Sequence, residues 1–210
     1  ITSFFLINTK DFRLDASSET LLIEGDPDLE YLKELNQRYK SKDFLVLTFT
    51  PKEALTSESS INNILSLKYK IQSLDWVYSV VTILDVPLLE SSDEPLMDRI
   101  KNFRTLKDED IDKERAFNEI SNSPVFKNLV ISEDATTTGI IVNLKRKKVL
   151  ESSAFDNEKE FEDYKDKLKS ENHANIKEIR EVIDSFKNIG KIHLGGIPMI
   201  ADDMMTFIKK

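Results

Sequence analysis

Residues 43–51, DFLVLTFTP, decide the fold of this chain. Apolar, aromatic and threonine residues follow one another without interruption until the proline, which is typical of a buried strand. Serines 57, 59 and 60 then offer caps for a helix, and a second strand is predicted from Trp76 to about Leu84. The helix has apolar residues at helical spacing: Ile61, Ile64, Leu65, Ile71 and Leu74. These elements predict one β-α-β unit.

A second unit is predicted in residues 125–196. Two strands, one from about Val125 to Ser132 and one from about Thr137 to Arg146, surround a turn. The charged stretch after them is helical by propensity, Gly190 is its expected C-cap, and residues 191–194 form a last strand. The best apolar face of this helix contains Ile176, Ile179, Val182, Ile183 and Phe186.

Two split β-α-β units side by side predict an α+β fold of the ferredoxin-like kind. Its sheet is antiparallel or mixed, with the helices on one face. Residues 87–124, between the units, are polar and are expected to be a peripheral insertion with two short helices, from Pro95 and around residues 110–120. We therefore divide the chain into residues 1–42, 43–124, 125–196 and 197–210.

The first segment, residues 1–42, contains a predicted helix. Asp26 is suited to cap it, Pro27 to occupy its first position, and Asp28 and Glu30 to complement the helix dipole. Glu24, Asp26 and Asp28 could also be read as a metal site, but carboxylates without a second converging cluster favour the helix start.

Composition excludes several classes of protein. The formal net charge is −8, and no basic stripe with interleaved aromatic residues is present, which argues against nucleic-acid binding. The absence of cysteine excludes thiolate chemistry, disulfides and sulfur-ligated metals. The chain contains no run of about 18 apolar residues, so no membrane span is predicted within it.

The sequence predicts no catalytic, cofactor or metal site, and it identifies no substrate-binding residue. His173 lies in a polar helical stretch, and His193 alternates with Ile192 and Leu194, so that it faces away from them. Neither histidine has further ligands at metal-binding spacing. The segment SEDATTTG, residues 132–139, fits a hairpin turn better than a calcium loop. A metal-assisted hydrolase using acids near Asp26 and Asp134 is the least favoured hypothesis.

Three segments, in this order, carry a resemblance to a known family. They are residues 11–39 with the strand 43–51, residues 123–144 (SPVFKNLVISEDATTTGIIVNL) and residues 192–210 (IHLGGIPMIADDMMTFIKK). Together they resemble the first extracytoplasmic loop of RND-superfamily exporters, in the branch of MMPL-type, hopanoid-transporter-like and Patched-like proteins. Ala135 departs from the pattern, because the family often has glycine there. Residues 151–172 carry no signature of the family.

The resemblance implies an extracytoplasmic porter domain between the first and second transmembrane helices of a multi-pass exporter in the cytoplasmic membrane. Such a protein moves hydrophobic or amphiphilic, lipid-like molecules, driven by the proton gradient. The implied partners are the substrate, the second extracytoplasmic loop of the same chain and neighbouring protomers; no enzyme activity or cofactor is implied. The alternative is a stand-alone soluble ligand-binding or regulatory module of ferredoxin-like fold.

Residues 193–210 are expected to lead from the domain to a membrane span. Leu194 ends the last strand, Gly195 and Gly196 allow a tight exit, and Pro198 begins a helix. Asp202 and Asp203 suit its first turns, while its apolar side contains Ile200, Met204, Phe207 and Ile208. On this interpretation apolar segments of about 20 residues flank the chain on both sides.

Overall fold

The computed structural model describes residues 27–28, 31, 34–35, 43–91, 95, 97–98, 103–108, 110–145, 150 and 152–208. Two compact units can be distinguished: Lys42–Met199, and Ile1–Ser41 together with Ile200–Lys210. The larger unit contains the β-sheet. In the smaller unit, Pro27, Asp28 and Tyr31 are helical, which agrees with the predicted helix. Its proposed cap Asp26, together with Glu24 and Glu30, lies outside the described residues.

A four-stranded antiparallel sheet forms the centre of the larger unit. Its strands are β1 (Phe44–Pro51), β2 (Val77–Val81), β3 (Thr138–Leu144) and β4 (Gly190–Gly195), in the order β2-β3-β1-β4. Strands β1 and β2 both run antiparallel to β3, so they are parallel to each other, with β3 between them. Strands β3 and β4 both run antiparallel to β1, so they are likewise parallel to each other, with β1 between them. The predicted pair of split β-α-β units is therefore confirmed.

Besides the helical residues 27–28, 31, 34–35 and 97–98, the described part of the chain contains four α-helices. Helix α1 (Glu58–Gln72) connects β1 to β2, and α3 (Glu158–Ser185) connects β3 to β4. Helix α2 (Lys113–Asn122) lies in the insertion between β2 and β3, and α4 (Ile197–Ile208) follows β4. The Ser57 side chain accepts a hydrogen bond from the Ser60 amide at 3.1 Å and caps α1.

One face of the sheet is covered by α1 and α3. Alternation along β1 points Leu45, Leu47 and Phe49 to this face, where Ile140 and Val142 of β3 lie beside them, and all five are fully buried. The helices contribute one apolar stripe each to the same core: Ile61, Ile64, Leu67 and Ile71 from α1, and Ile176, Ile179, Val182 and Ile183 from α3. The placement of helices on one face is thus confirmed.

The insertion is not peripheral, contrary to the prediction. Ala116, Phe117 and Ile120 of α2 are buried, as are Leu106 and Ile111 before it, and all five belong to the main core. Positions 116, 117 and 120 share one face of a helix, and this narrow stripe is easily overlooked in a segment that is otherwise charged.

Strand β2 is shorter than predicted, because a cap interrupts it. The Thr82 hydroxyl accepts a hydrogen bond from the Leu84 amide at 3.2 Å, and the Asp85 carboxylate accepts one from the Thr82 amide at 2.9 Å. These bonds turn the chain into a 3₁₀ helix, Ile83–Asp85, so the strand ends at Val81.

The outer edge of β2 is occupied by a side chain. The Gln72 carboxamide, at the end of α1, accepts a hydrogen bond from the Val80 amide at 2.8 Å and donates one to the Tyr78 carbonyl at 3.2 Å. A strand edge normally offers such groups to another strand. At this edge the Gln72 side chain takes the place that a neighbouring strand would occupy.

The predicted strand over residues 125–132 is wrong. This segment forms tight turns with isolated bridges that pair Ile131 with Lys127 and Thr138, and Asn128 has a left-handed φ of 63°. A residue in that conformation interrupts an extended strand. Val130 and Ile131 are nevertheless buried, which explains the apolar pattern.

Gly190 begins β4 and does not cap α3, as had been predicted; Phe186 occupies the cap position. A Cβ atom at Gly190 would lie 2.4 Å from the Thr50 carbonyl oxygen and 2.7 Å from Cε2 of Phe49. Glycine is therefore required here by the close approach of β1.

We expect Gly190→Ala to lower the free energy of unfolding by about 3 kcal/mol or more, because backbone atoms of β1 must move to admit the methyl group. Urea denaturation followed by circular dichroism measures the change. Gly195→Ala is the matched control in the same strand, since its Cβ would meet only the Val46 carbonyl oxygen at 3.7 Å. Equal losses in the two variants would contradict the steric explanation.

Ala135→Gly is expected to stabilise the protein by roughly 0.5–1 kcal/mol. Ala135 has a φ of 54°, which costs an alanine about 1–2 kcal/mol, and part of this gain is lost to the greater entropy of unfolded glycine. In the same denaturation experiment, Ala54→Gly should lower stability instead, because only the entropic effect operates there. A destabilised Ala135→Gly variant would refute the prediction.

Candidate functional site

A cleft of about 600 Å³ opens at the carboxyl end of β1. Three separate segments form it: residues 51–56 in the β1–α1 connection, one side of α2, and the turn containing Ala135 and Thr136. The cleft therefore exists because α2 packs on the core and the 132–137 turn precedes β3. Its volume is within the range of sites that hold small organic ligands, roughly 300–1,000 Å³.

The cleft combines an apolar floor with a polar rim. Leu55 and Phe117 are buried at its base, whereas Lys52, Glu53 and Glu114 are exposed around it. No histidine is among the described lining residues, and the ionisable groups of the lining are Lys52, Glu53 and Glu114. Such a surface suits contact with a molecule that has apolar and polar parts.

Asp134, beside the cleft, stabilises its own turn. Its carboxylate accepts hydrogen bonds from the Ser132 hydroxyl at 2.6 Å and from the amide and hydroxyl of Thr136 at 3.2 and 2.9 Å. These bonds hold the pKa of Asp134 below its ordinary value, first through Ser132 and then through Thr136. This arrangement explains Asp134 without a metal. Asp26, the other residue of the hydrolase hypothesis, lies outside the described residues.

The two histidines do not form a site in the described structure. His193 is exposed on β4 opposite Thr48, on the sheet face away from the helices, as its alternation predicted. His173 is exposed on α3, also as predicted. Within the described ranges, no group of three or more histidine, aspartate or glutamate side chains is arranged to hold a metal ion.

Asp85 connects three parts of the larger unit. Lys68 of α1 donates a hydrogen bond to its carboxylate, Lys107 of the insertion donates another at 3.0 Å, and the Thr82 amide a third at 2.9 Å. Burial alone would raise the pKa of Asp85, but these hydrogen bonds outweigh it and hold the pKa below its ordinary value. Asp85 is thus ionised and links α1, the insertion and the 3₁₀ helix through its hydrogen bonds.

Glu119 plays a similar part on α2. Its carboxylate accepts hydrogen bonds from three consecutive amides, those of Leu89, Glu90 and Ser91, at 2.6, 3.0 and 2.7 Å, and from the Ser91 hydroxyl at 2.6 Å. Burial would raise the pKa of Glu119, but these donors lower it. Leu89 and Glu119 are 30 residues apart in the sequence, so no local sequence pattern indicates the hydrogen bond between them.

The exit from the sheet agrees with the prediction. Gly196 has a φ of 125°, and a Cβ there would lie 3.0 Å from the Phe44 carbonyl oxygen. Asn172 of α3 donates a hydrogen bond to the Pro198 carbonyl at 2.8 Å and so holds the first turn of α4. Among the residues that the structure describes, no helix has the length and apolar content needed to cross a membrane.

No protein-family model matches the chain, and no curated protein sequence matches it. Function is therefore inferred from the fold, the cleft and the three ordered segments.

Replacement of Asp85 tests its role as an anchor. Asp85→Asn should lower the free energy of unfolding at pH 7 by about 1–3 kcal/mol, since Lys68 and Lys107 lose their ionised partner. Because the folded pKa is depressed, this stabilisation is complete above the unfolded pKa of about 3.9 and is lost as the pH falls through the folded value.

The difference between wild type and Asp85→Asn should therefore be constant from pH 7 to about pH 5 and shrink below pH 4. Denaturation midpoints at several pH values measure it. Asp163→Asn, at an exposed position of α3, is the control and should have little effect at any pH. A difference that does not change with pH would show that Asp85 acts through packing.

Proposed function

We propose that this chain is an extracytoplasmic porter domain of a multi-pass RND-type exporter in the cytoplasmic membrane. In this role it contributes to the passage of hydrophobic or amphiphilic, lipid-like substrates, driven by the proton gradient. The alternative is a stand-alone ligand-binding or regulatory module, for which the same fold and cleft would serve.

The proposal is supported chiefly by the positions at which the chain enters and leaves the sheet. The first strand begins at Phe44 and the last ends at Gly195, and Val46 pairs with Gly195 across the antiparallel β1–β4 ladder. Paired Cα atoms in such a ladder are only about 5 Å apart. This arrangement suits a domain inserted between two consecutive membrane spans, because both connections must reach the same membrane surface.

The resemblance is compatible with the fold at three places, although the strand expected over residues 125–132 is not formed. The three resembling segments contain β1, the turn leading into β3, and the exit through β4 and Gly196 into α4. Ala135, which stands where the family often has glycine, adopts the left-handed conformation that glycine favours. Ala135 thus differs from the family in residue type but has the backbone conformation that glycine favours.

The cleft supplies a surface that suits the proposed substrates. Leu55 and Phe117 would contact an apolar chain, and Lys52, Glu53 and Glu114 would remain available to a polar head. The carboxylates of Asp85, Glu119 and Asp134 are occupied by structural hydrogen bonds. The resemblance implies that proton transfer belongs to membrane-embedded acids of the parent protein, where a buried charge is costly and functional.

The location of the domain tests the proposal. These 210 residues contain no cysteine, so once any cysteines elsewhere in the parent protein are replaced, a single introduced cysteine reports which side of the membrane the domain occupies. In the full-length protein, Lys70→Cys on the exposed side of α1 should react with a membrane-impermeant maleimide while the cytoplasmic membrane is intact. Leu67→Cys, at a fully buried position of the same helix, should react only after denaturation.

Labelling of Lys70→Cys only after lysis would refute the exporter role and favour the cytoplasmic module. The coding sequence gives a second test: apolar segments of about 20 residues should precede Ile1 and follow Lys210 closely. A stop codon directly after Lys210, or ordinary polar sequence on both sides, would also refute the proposal.

A further inference from the structure

The cleft at the carboxyl end of β1 has an unequal set of charges. Among its described lining residues, Glu53 and Glu114 each contribute a carboxylate, whereas Lys52 contributes the one ammonium group. All three residues are exposed. Two negative charges and one positive charge leave the lining with a net formal charge of −1. A concave surface with an excess of one sign of charge concentrates ions of the opposite sign.

The residues next to the lining strengthen this negative field. Seven further charged residues lie within two positions of the lining residues in the sequence, of which five are acidic and two basic: Glu58, Asp112, Glu119, Glu133 and Asp134, and Lys113 and Arg115. Lys113 is already paired with Glu58 at 3.6 Å. Asp134 stays ionised through hydroxyl and amide donors of its own turn, so no described cation cancels its charge.

The two carboxylates of the lining are available to a ligand. Within the described part of the chain, the side chains of Glu53 and Glu114 accept no hydrogen bond and form no ion pair. The carboxylates of Asp85 and Glu119, by contrast, are each surrounded by several donors. Glu114 lies in the first turn of α2, where its charge complements the helix dipole, but this leaves both of its oxygen atoms unoccupied. A cation can therefore bind both groups without breaking a contact of the fold.

The remaining walls of the cleft are small and aliphatic. Ala54 and Ala135 are exposed and Pro51 is half-buried, while Leu55 and Phe117 close the base. An alkyl chain can contact these side chains and lose part of its exposure to water. The volume of about 600 Å³ suits an organic molecule and is far larger than a single ion needs.

We propose that this cleft binds an organic cation, whose ammonium group contacts Glu53 and Glu114 and whose alkyl chain contacts Ala54 and Ala135. A divalent metal ion is a poorer match, because it takes about six oxygen ligands, and no group of three acidic or histidine side chains is arranged for one in the described ranges. The proposal rests on the proposed function for the use of the cleft as a ligand surface, and it adds the charge of the ligand.

An NMR titration of the purified 210-residue chain with octylammonium tests the proposal. The measurement uses pH 7, low ionic strength and concentrations below micelle formation, since salt screens exposed charges. We expect amide shifts to concentrate in residues 51–56, 114–121 and 135–136. Octyl sulfate, which has the same chain and the opposite charge, should bind more weakly, and so should uncharged 1-octanol.

Single replacements of the rim charges should change the affinity in opposite directions. Glu53→Gln and Glu114→Gln should each weaken octylammonium binding by about two- to fivefold, as expected for an exposed ion pair. Lys52→Gln should strengthen it by a similar factor, because a repelling charge is removed. Glu181→Gln is the matched control: Glu181 is exposed on α3, and its replacement changes the net charge equally but should leave binding unchanged.

The amide spectra of the variants also verify their folding. If Glu114→Gln disturbs α2 through the lost dipole interaction, Glu53→Gln still tests the proposal, because Glu53 lies in the β1–α1 connection outside any helix.

Three results would overturn the proposal. The first is no binding of octylammonium, or shifts that lie outside the cleft. The second is binding of octyl sulfate or 1-octanol as tight as that of octylammonium, or an equal effect of Glu53→Gln and Glu181→Gln. The third is a response of the same amides to Mg²⁺ or Ca²⁺ at lower concentration than to octylammonium, which would assign the carboxylates to a metal ion.

The exporter role is judged separately by the cysteine-labelling experiment. A chain that fails to bind octylammonium can still be labelled from outside the membrane, and this pair of results would refute the cation site alone. Labelling only after lysis, together with octylammonium binding, would refute the exporter role and leave a cation-binding module.

Discussion

Pairing of β1 on both sides is the interaction on which the rest of the larger unit depends. The strand bonds β3 along one edge and β4 along the other, so that both split β-α-β units meet at it. Its Leu45, Leu47 and Phe49 are fully buried beneath the helices, and each such side chain contributes about 1.5–3 kcal/mol through removal from water. Gly190 and Gly196 lack side chains because β1 approaches them closely. The sheet order, the core and the exit to α4 thus all depend on β1.

Two ionised carboxylates organise the insertion: Asp85 attaches it to this framework, and Glu119 closes it on itself. Asp85 is bonded by Lys68 of α1 and Lys107 of the insertion, and Glu119 of α2 closes the 89–91 loop onto the helix. Each carboxylate is partly buried, and each remains charged because several donors surround it. Phe117 and Ile120 of the insertion belong to the core, and α2 thereby supplies one wall of the cleft.

Periodicity was sufficient to predict most of the framework. The uninterrupted apolar run of β1 indicates a buried strand, and the spacing of Ile61, Ile64 and Ile71 indicates a helix. The boundaries predicted for β1 and α1 are therefore nearly correct. The failures at Thr82, Asn128 and Gly190 arise from side-chain caps, left-handed backbone and interstrand approach, which do not alter hydrophobic spacing. The cleft was not predictable, because its three segments are brought together only by tertiary packing.

The Gln72 side chain blocks one border of the sheet. By bonding Val80 and Tyr78, it acts as a one-residue substitute for a fifth strand beside β2. Any chain that added at this edge would first have to displace both hydrogen bonds, at a cost of about 1–3 kcal/mol. Recruitment of a foreign strand to this border, whether in a larger assembly or in a misfolded aggregate, is therefore opposed. One side-chain amide thus protects an edge strand against aggregation.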